Sequence, residues 1–478
     1  MEFIKNYFKF DQRNTTLSTE IIGGVTTFLA MAYILPVNSF MLSATGIPLA
    51  GVFFATAIAA AIATITMGIL ANLPVALAPG MGLNAFFTYT LVFGVAGLSW
   101  QAALGAVLVS GLLFFIISVT GLRKIVINAI PAGLKYAVGA GIGFFITFIG
   151  LKNAGIIVGG PTLVELGDLS HPTVLLGVFG ILLVVVLHAM GNRFSLIISI
   201  VVTAIIGLVL GLVAPDYFTI VADLNDGAGG TTELLLMPAY ISGGMGDVWS
   251  GVAATFGQAF TGLGELFSNP GVFGIVFALL FVDFFDTAGT LMAVGNQAGL
   301  VNEEGELVGS DKALLVDSIG TMTGAILGTS NVTSYIESAT GIEQGARSGF
   351  SSVVVGVLFI FAVFAYPLLS VVNGVTVGFD GFGGAIVYSP VTAMALVLVG
   401  SLMVGQMKEI DWSDKAIVIP AFLTIIMMIL TFSIATGIAV GFIFYPIIMV
   451  AQGRSKEVNI VMYVLAVLFV INFVIGAV

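Results

Sequence analysis

The sequence predicts an all-α polytopic membrane protein of about 14 transmembrane segments, arranged as two inverted halves. Of its 478 residues, 59% are hydrophobic and 8% are charged, whereas about 25% are charged in soluble proteins. Apolar runs near the ~17–25 residues of a membrane helix recur along the whole chain. Two of these runs are short and broken, and they lie about 254 residues apart. A soluble fold could not bury so much apolar surface.

The candidate spans divide into seven before and seven after a polar connector at 214–270. Spans of similar length recur in the second half at offsets of about 248–254 residues, for example 101–120 and 349–371. Because seven is odd, the second half must be inverted relative to the first. The candidate spans are 21–44, 50–71, 83–96, 101–120, 134–150, 174–190, 194–213, 271–294, 312–327, 335–345, 349–371, 388–405, 415–451 and 458–477.

The two short spans, 83–96 and 335–345, each follow backbone that should not be helical. The first is preceded by NLPVALAPGMG, which is rich in proline and glycine, and the second by LGTSNVTSY, which is polar and β-branched. Irregular backbone at membrane depth is tolerated only inside the protein or along a cavity. Paired breaks in inverted halves indicate the central binding site of a transporter.

Three carboxylates lie in apolar surroundings: Asp283 and Asp286 in FALLFVDFFDTAGTLMAVG, and Glu337 in LGTSNVTSYIESATGI. An acid at the centre of a membrane helix costs about 2.5–3.5 kcal/mol, so such residues usually face a polar cavity. The two aspartates are three residues apart and share nearly one helix face with Thr287. The pattern predicts a transporter with a site built from acids at mid-depth.

A flat ring with adjacent N–H and C=O groups, such as a nucleobase, would suit this site. Asp283 and Glu337 accept hydrogen bonds, and Asn84 offers both a donor and an acceptor. Asp286 either contacts the ligand or supports its neighbours, and Asn84 either binds the ligand or caps its helix. We expect Asp317 to support its neighbours without touching the ligand.

Composition excludes several other functions. The net charge of −11 argues against nucleic acid, the absence of cysteine excludes disulfides, and two histidines are too few for a histidine metal site. We expect no catalytic residue, no metal and no cofactor. The coupling ion is expected to be H⁺, with Na⁺ as the alternative. The sequence leaves open whether the chain acts alone or as a homodimer.

The N-terminal residues 1–20 lack a cleavable signal and predict a cytoplasmic tail of a multi-pass plasma-membrane protein. One conflict arises with the expectation that basic residues lie on the cytoplasmic side. Arg454 and Lys456 would lie outside if 415–451 were a single crossing. Two short helices meeting near Thr436-Gly437 would remove it. The basic residues expected inside are Lys5, Lys9, Arg13, Arg123, Lys124, Arg193, Arg347, Lys408 and Lys415, and the acidic segment Asp216–Glu233 is expected outside.

Three motifs carry a family resemblance. The segments APGMGLNAFF (78–87), FVDFFDTAGTL (281–291) and TSNVTSYIESATGIEQGARSG (329–349) resemble the azaguanine-like purine permeases. These form a branch of the nucleobase:cation symporter (nucleobase–ascorbate transporter) family. The resemblance covers almost the whole chain. It implies fourteen spans in two inverted repeats, a core and a gate domain, and short antiparallel strands before the half-helices of spans 3 and 10.

The resemblance also implies roles for individual residues. Asn84, Asp283 and Glu337 match substrate-contacting positions, and Asp286 matches a nearby acid linked to binding. The uracil branch has Glu at the Asp283 position and His four residues later, where this chain has Thr287. The Gln-Asn start of the ascorbate- and xanthine-type signature is absent as well. Both departures favour hypoxanthine, guanine and adenine as substrates.

The domain limits follow from the same pattern. The expected units are a first repeat at 21–213, the connector, and a second repeat at 271–478. At the tail side of the second short span, Glu343 and Arg347 are expected to form a local ion pair. The core domain is expected from 21–120 and 271–371, and the gate domain from 134–213 and 388–477.

The leading interpretation is proton-coupled import of purine bases by alternating access, with Asp283, Asp286 and Glu337 as candidate proton carriers. One alternative is an anion exchanger or other small-solute carrier of the same fold. The acids argue against this alternative. Another is a membrane enzyme, such as a protease using two facing acids. That interpretation leaves the paired breaks without a purpose.

Overall fold

The structure is a computed structural model that describes residues 2–94, 97–120, 129–160, 163–214, 219–223, 231–235, 243–302, 307–372, 375–379 and 385–474. Within these ranges, nine helices are long and apolar enough to cross a membrane. Three shorter apolar helices accompany them, Met81–Val92, Lys415–Leu430 and Ile460–Val474. The basic residues Arg123 and Lys124, and most of the acidic segment 216–233, lie outside the described residues.

The helices of the first half alternate with short connections. They are α1 (Glu2–Tyr7), α2 (Leu17–Met31), α3 (Ile34–Ser43), α4 (Leu49–Thr66), α5 (Met81–Ala85), α6 (Trp100–Thr120), α7 (Ala132–Asn153), α8 (Pro172–Ala189) and α9 (Ser195–Val213). The strands of this half are β1 (Leu77–Pro79), β2 (Ile157–Gly160) and β3 (Leu163–Leu166), followed by β4 (Thr219–Asp223) and β5 (Thr231–Leu235) in the connector.

The connector and the second half contain the remaining helices and strands. The connector helices are α10 (Met245–Thr255), α11 (Gln258–Thr261) and α12 (Leu263–Ser268). The second half has α13 (Val272–Gln297), α14 (Ser310–Leu327), β6 (Val332–Ser334), α15 (Ser338–Glu343), α16 (Gly349–Ala362), β7 (Val375–Phe379), β8 (Ala385–Tyr388), α17 (Ala393–Val404), α18 (Lys415–Leu430), α19 (Ile434–Ala451) and α20 (Ile460–Val474).

The two predicted breaks meet inside the protein as a two-stranded antiparallel sheet. Strand β1 pairs with β6 in the register Leu77↔Ser334, Ala78↔Thr333 and Pro79↔Val332. Each strand leads into a short helix, α5 and α15. Helix α5 continues as a π-helix over Phe86–Val92. The strands and half-helices expected in spans 3 and 10 are therefore present.

Backbone groups of both breaks are hydrogen-bonded by other parts of the protein. The Gly80 N–H donates to the Asn331 carbonyl at 3.0 Å, and the Tyr335 N–H donates to the Ala76 carbonyl at 2.9 Å. The Thr64 hydroxyl bonds both the N–H and the C=O of Leu77, each at 2.9 Å. Unpaired backbone groups in hydrocarbon cost several kcal/mol each, so this pairing allows extended chain at membrane depth.

Close glycine contacts join α7 and α17. A Cβ atom on Gly143 would lie 2.6 Å from the carbonyl oxygen of Gly400, and one on Gly400 would lie 2.5 Å from the carbonyl oxygen of Gly143. Small residues allow such backbone contact between membrane helices. These two helices belong to opposite halves of the chain, so the contact ties the predicted gate domain together.

The segment 415–451 is two antiparallel helices and not one crossing. Helices α18 and α19 are joined by Thr431–Ser433, where Phe432 has a φ of 53°. A Cβ atom on Gly437 would come 2.7 Å from the Thr424 carbonyl, which places the two helices side by side. The turn precedes the predicted junction, because Gly437 serves close helix packing and not the change of direction.

The hairpin removes the conflict over Arg454. The guanidinium of Arg454 pairs with Asp414 at 2.9 Å, so both ends of the hairpin lie on one face of the molecule. A hydrogen bond from Arg454 lowers the pKa of the Asp414 carboxyl group. Arg454 therefore lies on the same side as Lys415, as the positive-charge pattern requires.

The N-terminal tail, residues 2–16, packs on one end of the helix bundle, which we call the tail face. Phe8 and Phe10 are buried there and contact the Phe350 ring edge to face. Arg13 donates to the backbone carbonyls of Asn72 and Arg347 at 2.6 and 2.7 Å. The predicted tail thus joins the two halves of the chain.

Glu20 binds the start of α16 from within α2. Its buried carboxylate accepts the Thr15 hydroxyl at 2.8 Å. It also accepts three backbone N–H groups, from Arg347 at 2.8 Å, Ser348 at 3.1 Å and Ser351 at 3.2 Å. A negative charge at a helix start compensates the unpaired N–H groups there.

We predict that Glu20→Gln lowers thermal stability. An amide has one acceptor oxygen where the carboxylate has two, and loss of a hydrogen bond to a charged group costs about 1.5–3 kcal/mol. Thermal unfolding of the purified protein in detergent would measure the loss. Glu2→Gln, at an exposed tail position, is the control and should unfold at the wild-type temperature. An unchanged unfolding temperature for Glu20→Gln would show that these bonds contribute nothing.

Candidate functional site

Acidic side chains from three elements surround the paired strands. Asp283 and Asp286 come from α13, Asp317 from α14, and Glu337 from the segment between β6 and α15. Among the described residues, no lysine, arginine or histidine forms a salt bridge with any of the four. The described chain also contains no His, Cys, Asp and Glu cluster suited to a metal ion. The strand pairing therefore gathers acids that lack a fixed positive partner.

Asp283 lies inside the protein, with 1% of its surface exposed. Its Oδ2 accepts the Thr321 hydroxyl at 2.9 Å and the Asn331 amide at 3.0 Å. Its Oδ1 and the Oδ1 of Asn331 have no hydrogen-bond partner among the described residues. The carboxylate is thus held by neutral donors and retains one unused acceptor.

Glu337 and Asp286 are only partly buried. Glu337 Oε1 accepts the Tyr33 hydroxyl at 2.6 Å. No hydrogen bond to the Asp286 carboxylate is found within the described chain. The two carboxylates lie within electrostatic reach of each other. Because both are partly exposed, they are more accessible to N–H groups of a ligand than the buried Asp283.

Asn84 and Thr287 lie against the two strands. Asn84 is buried in the first turn of α5, where its Oδ1 accepts the Ser330 hydroxyl. Its Nδ2 makes a long bond, 3.5 Å, to the Pro79 carbonyl. Gly80, and not Asn84, is the residue that caps α5. Thr287 is buried and its hydroxyl bonds that of Thr333 at 2.6 Å, so it links α13 to β6.

Asp317 is fully buried behind the strands and accepts the Ser334 hydroxyl at 3.3 Å. Its supporting role stays a prediction. Three polar partners of the acids, Tyr33, Thr321 and Asn331, were not predicted from the sequence. The polar run TSNVTSY contained a signal for Asn331, since an amide in apolar surroundings needs a partner. Tyr33 and Thr321 carried no such signal.

Residues of the predicted core domain contact residues of the predicted gate domain at both ends of the molecule. On the tail face, Arg193 pairs with Glu343 at 2.9 Å. The local ion pair predicted between Glu343 and Arg347 is therefore wrong: α15 ends at Glu343, and Arg347 Nη1 instead donates to the carbonyls of Ile342 and Ala346.

On the opposite face, Asn153 donates to the Tyr89 hydroxyl at 3.2 Å, and the Thr90 hydroxyl donates to the Phe432 carbonyl at 3.2 Å. A cavity there is lined by Tyr89 and Asn153 together with residues of α3 and α17. A second cavity lies at the tail face, beside Arg13 and Arg347. None of the four acids lines either of these two cavities.

Comparison with known proteins identifies the family. A model described as "Permease family" matches residues 18–440. The chain is 46% identical to the guanine/hypoxanthine permease PbuG of Bacillus subtilis, over 98% of this chain and 99% of that protein. The chain belongs to the nucleobase:cation symporter family. Within it, the chain falls in the azaguanine-like purine permease branch, as its three motifs implied.

Two further relatives agree with this assignment. The adenine permease AdeQ of Escherichia coli is 39% identical over 98% of this chain and 96% of that protein. The putative permease MJ0326 of Methanocaldococcus jannaschii is 45% identical over 99% of both. This member of the purine permeases is therefore a multi-pass membrane transporter and not an enzyme.

Solved structures with low identity share the fold. The transmembrane domain of the cyanobacterial bicarbonate transporter BicA aligns with a TM-score of 0.55 at 16% identity, covering 88% of this chain and 97% of that one. SLC26A9 aligns with a TM-score of 0.55 at 10% identity, covering 94% and 69%. The predicted inverted-repeat transporter fold is confirmed, whereas the residue limits predicted for its domains stay predictions.

Proposed function

We propose that this permease imports the purine bases hypoxanthine, guanine and adenine across the plasma membrane by proton symport. The observation that carries the proposal is the β1–β6 pairing, beside which lie the partly exposed acids Glu337 and Asp286 and the buried amide of Asn84. Relatives named as guanine/hypoxanthine and adenine permeases support this class of substrate. The basic residues of the tail face support a cytoplasmic N-terminus.

Glu337 and Asp286 are proposed to bind ring or exocyclic N–H groups of the base. Both are partly exposed, and the Glu337 carboxylate is bonded by the Tyr33 hydroxyl and by its own backbone N–H. Asn84 Nδ2, whose bond to Pro79 is long, is available for a carbonyl or ring nitrogen. Hypoxanthine and guanine carry N–H and C=O groups side by side, which matches these partners. Thr287 would support the site through Thr333.

Asp283 is proposed as the main proton carrier. Burying an unpaired charge is costly, and a bound proton removes the charge. A proton on Asp283 would also supply a donor where Asp283 Oδ1 and Asn331 Oδ1 are both unpartnered acceptors. Asp286 and Glu337 remain candidates, because acids this close titrate as a group. Na⁺ remains the alternative coupling ion.

Alternating access is supported by contacts between the two predicted domains at both ends of the molecule. The Arg193–Glu343 pair on the tail face and the Tyr89–Asn153 contact on the opposite face each join the predicted gate to the predicted core. Opening them in turn would expose the site first to one side of the membrane and then to the other.

Glu337→Gln and Asp286→Asn should each weaken hypoxanthine binding about ten- to a hundredfold. Losing a hydrogen bond to a charged acceptor costs roughly 1.5–3 kcal/mol. Equilibrium binding of radiolabelled hypoxanthine to purified protein measures this, with the exposed Glu165→Gln as control. Wild-type affinity in both folded site variants would refute the site.

Asp283→Asn tests the direct contact with the base that the family resemblance implies. A loss of affinity as large as that of Glu337→Gln would show that Asp283 also touches the base.

Hypoxanthine uptake into proteoliposomes should follow an imposed pH gradient in the absence of sodium. One proton per base allows up to about tenfold accumulation per pH unit, because each pH unit stores about 1.4 kcal/mol. A protonophore should abolish accumulation, and Asp283→Asn should abolish it while keeping exchange of base for base. Accumulation that ignores the pH gradient and follows a sodium gradient would overturn the proton claim and leave the purine site intact.

Cross-linking positions 193 and 343 should stop transport. The natural chain has no cysteine, so Arg193→Cys with Glu343→Cys creates a unique pair for a short, reducible bifunctional reagent. We expect uptake to fall to background and to recover on reduction. The control pair, Arg454→Cys with Glu457→Cys, bridges neighbours in one segment and should leave uptake unchanged. Full uptake by the cross-linked 193–343 variant would contradict opening at this contact.

A further inference from the structure

Tyr33 lies at a break in the first membrane span, between α2 and α3, and only 1% of its surface is exposed. Its hydroxyl donates to Glu337 Oε1 at 2.6 Å. The two residues are 304 positions apart in the chain, so the bond joins the first span of one half to the broken span of the other. Nothing in the family motifs points to this tyrosine.

Backbone contact fixes the distance between the two elements that carry these residues. A Cβ atom on Gly23 of α2 would lie 2.9 Å from the Gly341 carbonyl of α15. A Cβ on Gly341 would meet the Thr27 hydroxyl and lie 2.5 Å from the Gly23 carbonyl. Because the backbones of α2 and α15 touch at these glycines, the distance between the two helices is fixed there. This contact limits how far the phenol of Tyr33 can move from Glu337.

The ring of Tyr33 is surrounded by apolar side chains and belongs to the main hydrophobic core. A phenol has one O–H donor, and here the carboxylate receives it. The bond engages Oε1, and the carboxylate also accepts its own backbone N–H. The other charged or titratable groups facing Glu337 are Asp286 and Tyr335, and the Tyr335 hydroxyl donates to the Pro79 carbonyl at 2.5 Å.

We propose that Tyr33 is a positioning residue for purine binding, which acts by orienting the Glu337 carboxylate. The inference rests on the proposed role of Glu337 in binding the base. In Tyr33→Phe the ring still fills its place, but the carboxylate loses the phenol donor to Oε1 and is held less firmly in its orientation. Binding then requires the carboxylate to be ordered by the ligand itself.

A double-mutant cycle tests this proposal, because a residue that acts only through Glu337 loses its effect once Glu337 is changed. Radiolabelled hypoxanthine binding is measured for wild type, Tyr33→Phe, Glu337→Gln and the double variant. Tyr33→Phe should weaken binding about tenfold and raise the KM of uptake with little change in maximal rate. In the Glu337→Gln background it should cause no further loss. Tyr463→Phe, whose hydroxyl bonds only the Ser455 carbonyl, is the control.

The outcomes separate the two claims. Additive losses, or unchanged binding in a folded Tyr33→Phe protein, would overturn the positioning role while leaving the purine site in place. Wild-type binding in Glu337→Gln would instead refute the site itself. Thermal unfolding of each variant identifies any loss of binding that comes from misfolding. The Tyr33→Leu variant removes the ring and shows what a packing defect alone does to KM and maximal rate. A maximal rate that falls in Tyr33→Phe as it does in Tyr33→Leu would also overturn the proposal.

Discussion

The antiparallel pairing of β1 with β6 is the constraint on which the rest of the structure depends. Two extended segments inside a membrane protein expose backbone groups that lipid cannot satisfy. The pairing satisfies them mutually, with help from Thr64 and Ser338 side chains. Because each strand comes from a different half of the chain, neither half can complete its broken span alone. The two halves are therefore joined by backbone hydrogen bonds as well as by helix packing.

The same pairing organises the polar site. Strand β6 is flanked by Asn331 and Glu337, and its own residues bond Thr287 and Asp317. Two kinds of acid result. Asp283 and Asp317 are buried and bonded to neutral donors, whereas Asp286 and Glu337 are partly exposed. We propose that this division separates proton binding from substrate binding while keeping the two within electrostatic reach of each other.

The sequence predicted both breaks because runs of proline, glycine and polar residues at membrane depth do not fit an unbroken apolar helix. It predicted the acids because a carboxylate there needs a polar space. It could not divide roles between Asp283 and Asp286, since a three-residue step leaves them about 60° apart around the helix. At that angle one aspartate can face the protein interior while the other faces a polar space. Only the packing of the helix decides which aspartate takes which position. Hydropathy likewise could not resolve the α18–α19 hairpin, whose turn contains neither proline nor glycine.

The predicted gate and core domains contact each other at both ends of the molecule, and we propose that these contacts open in turn. The most direct test of the account is an experimental structure of the protein with hypoxanthine bound. We predict density for the base beside the β1–β6 crossing, within hydrogen-bond distance of Glu337 and Asp286 and near Asn84. Density in the cavity beside Tyr89 and Asn153, with no base at the strand crossing, would contradict the account.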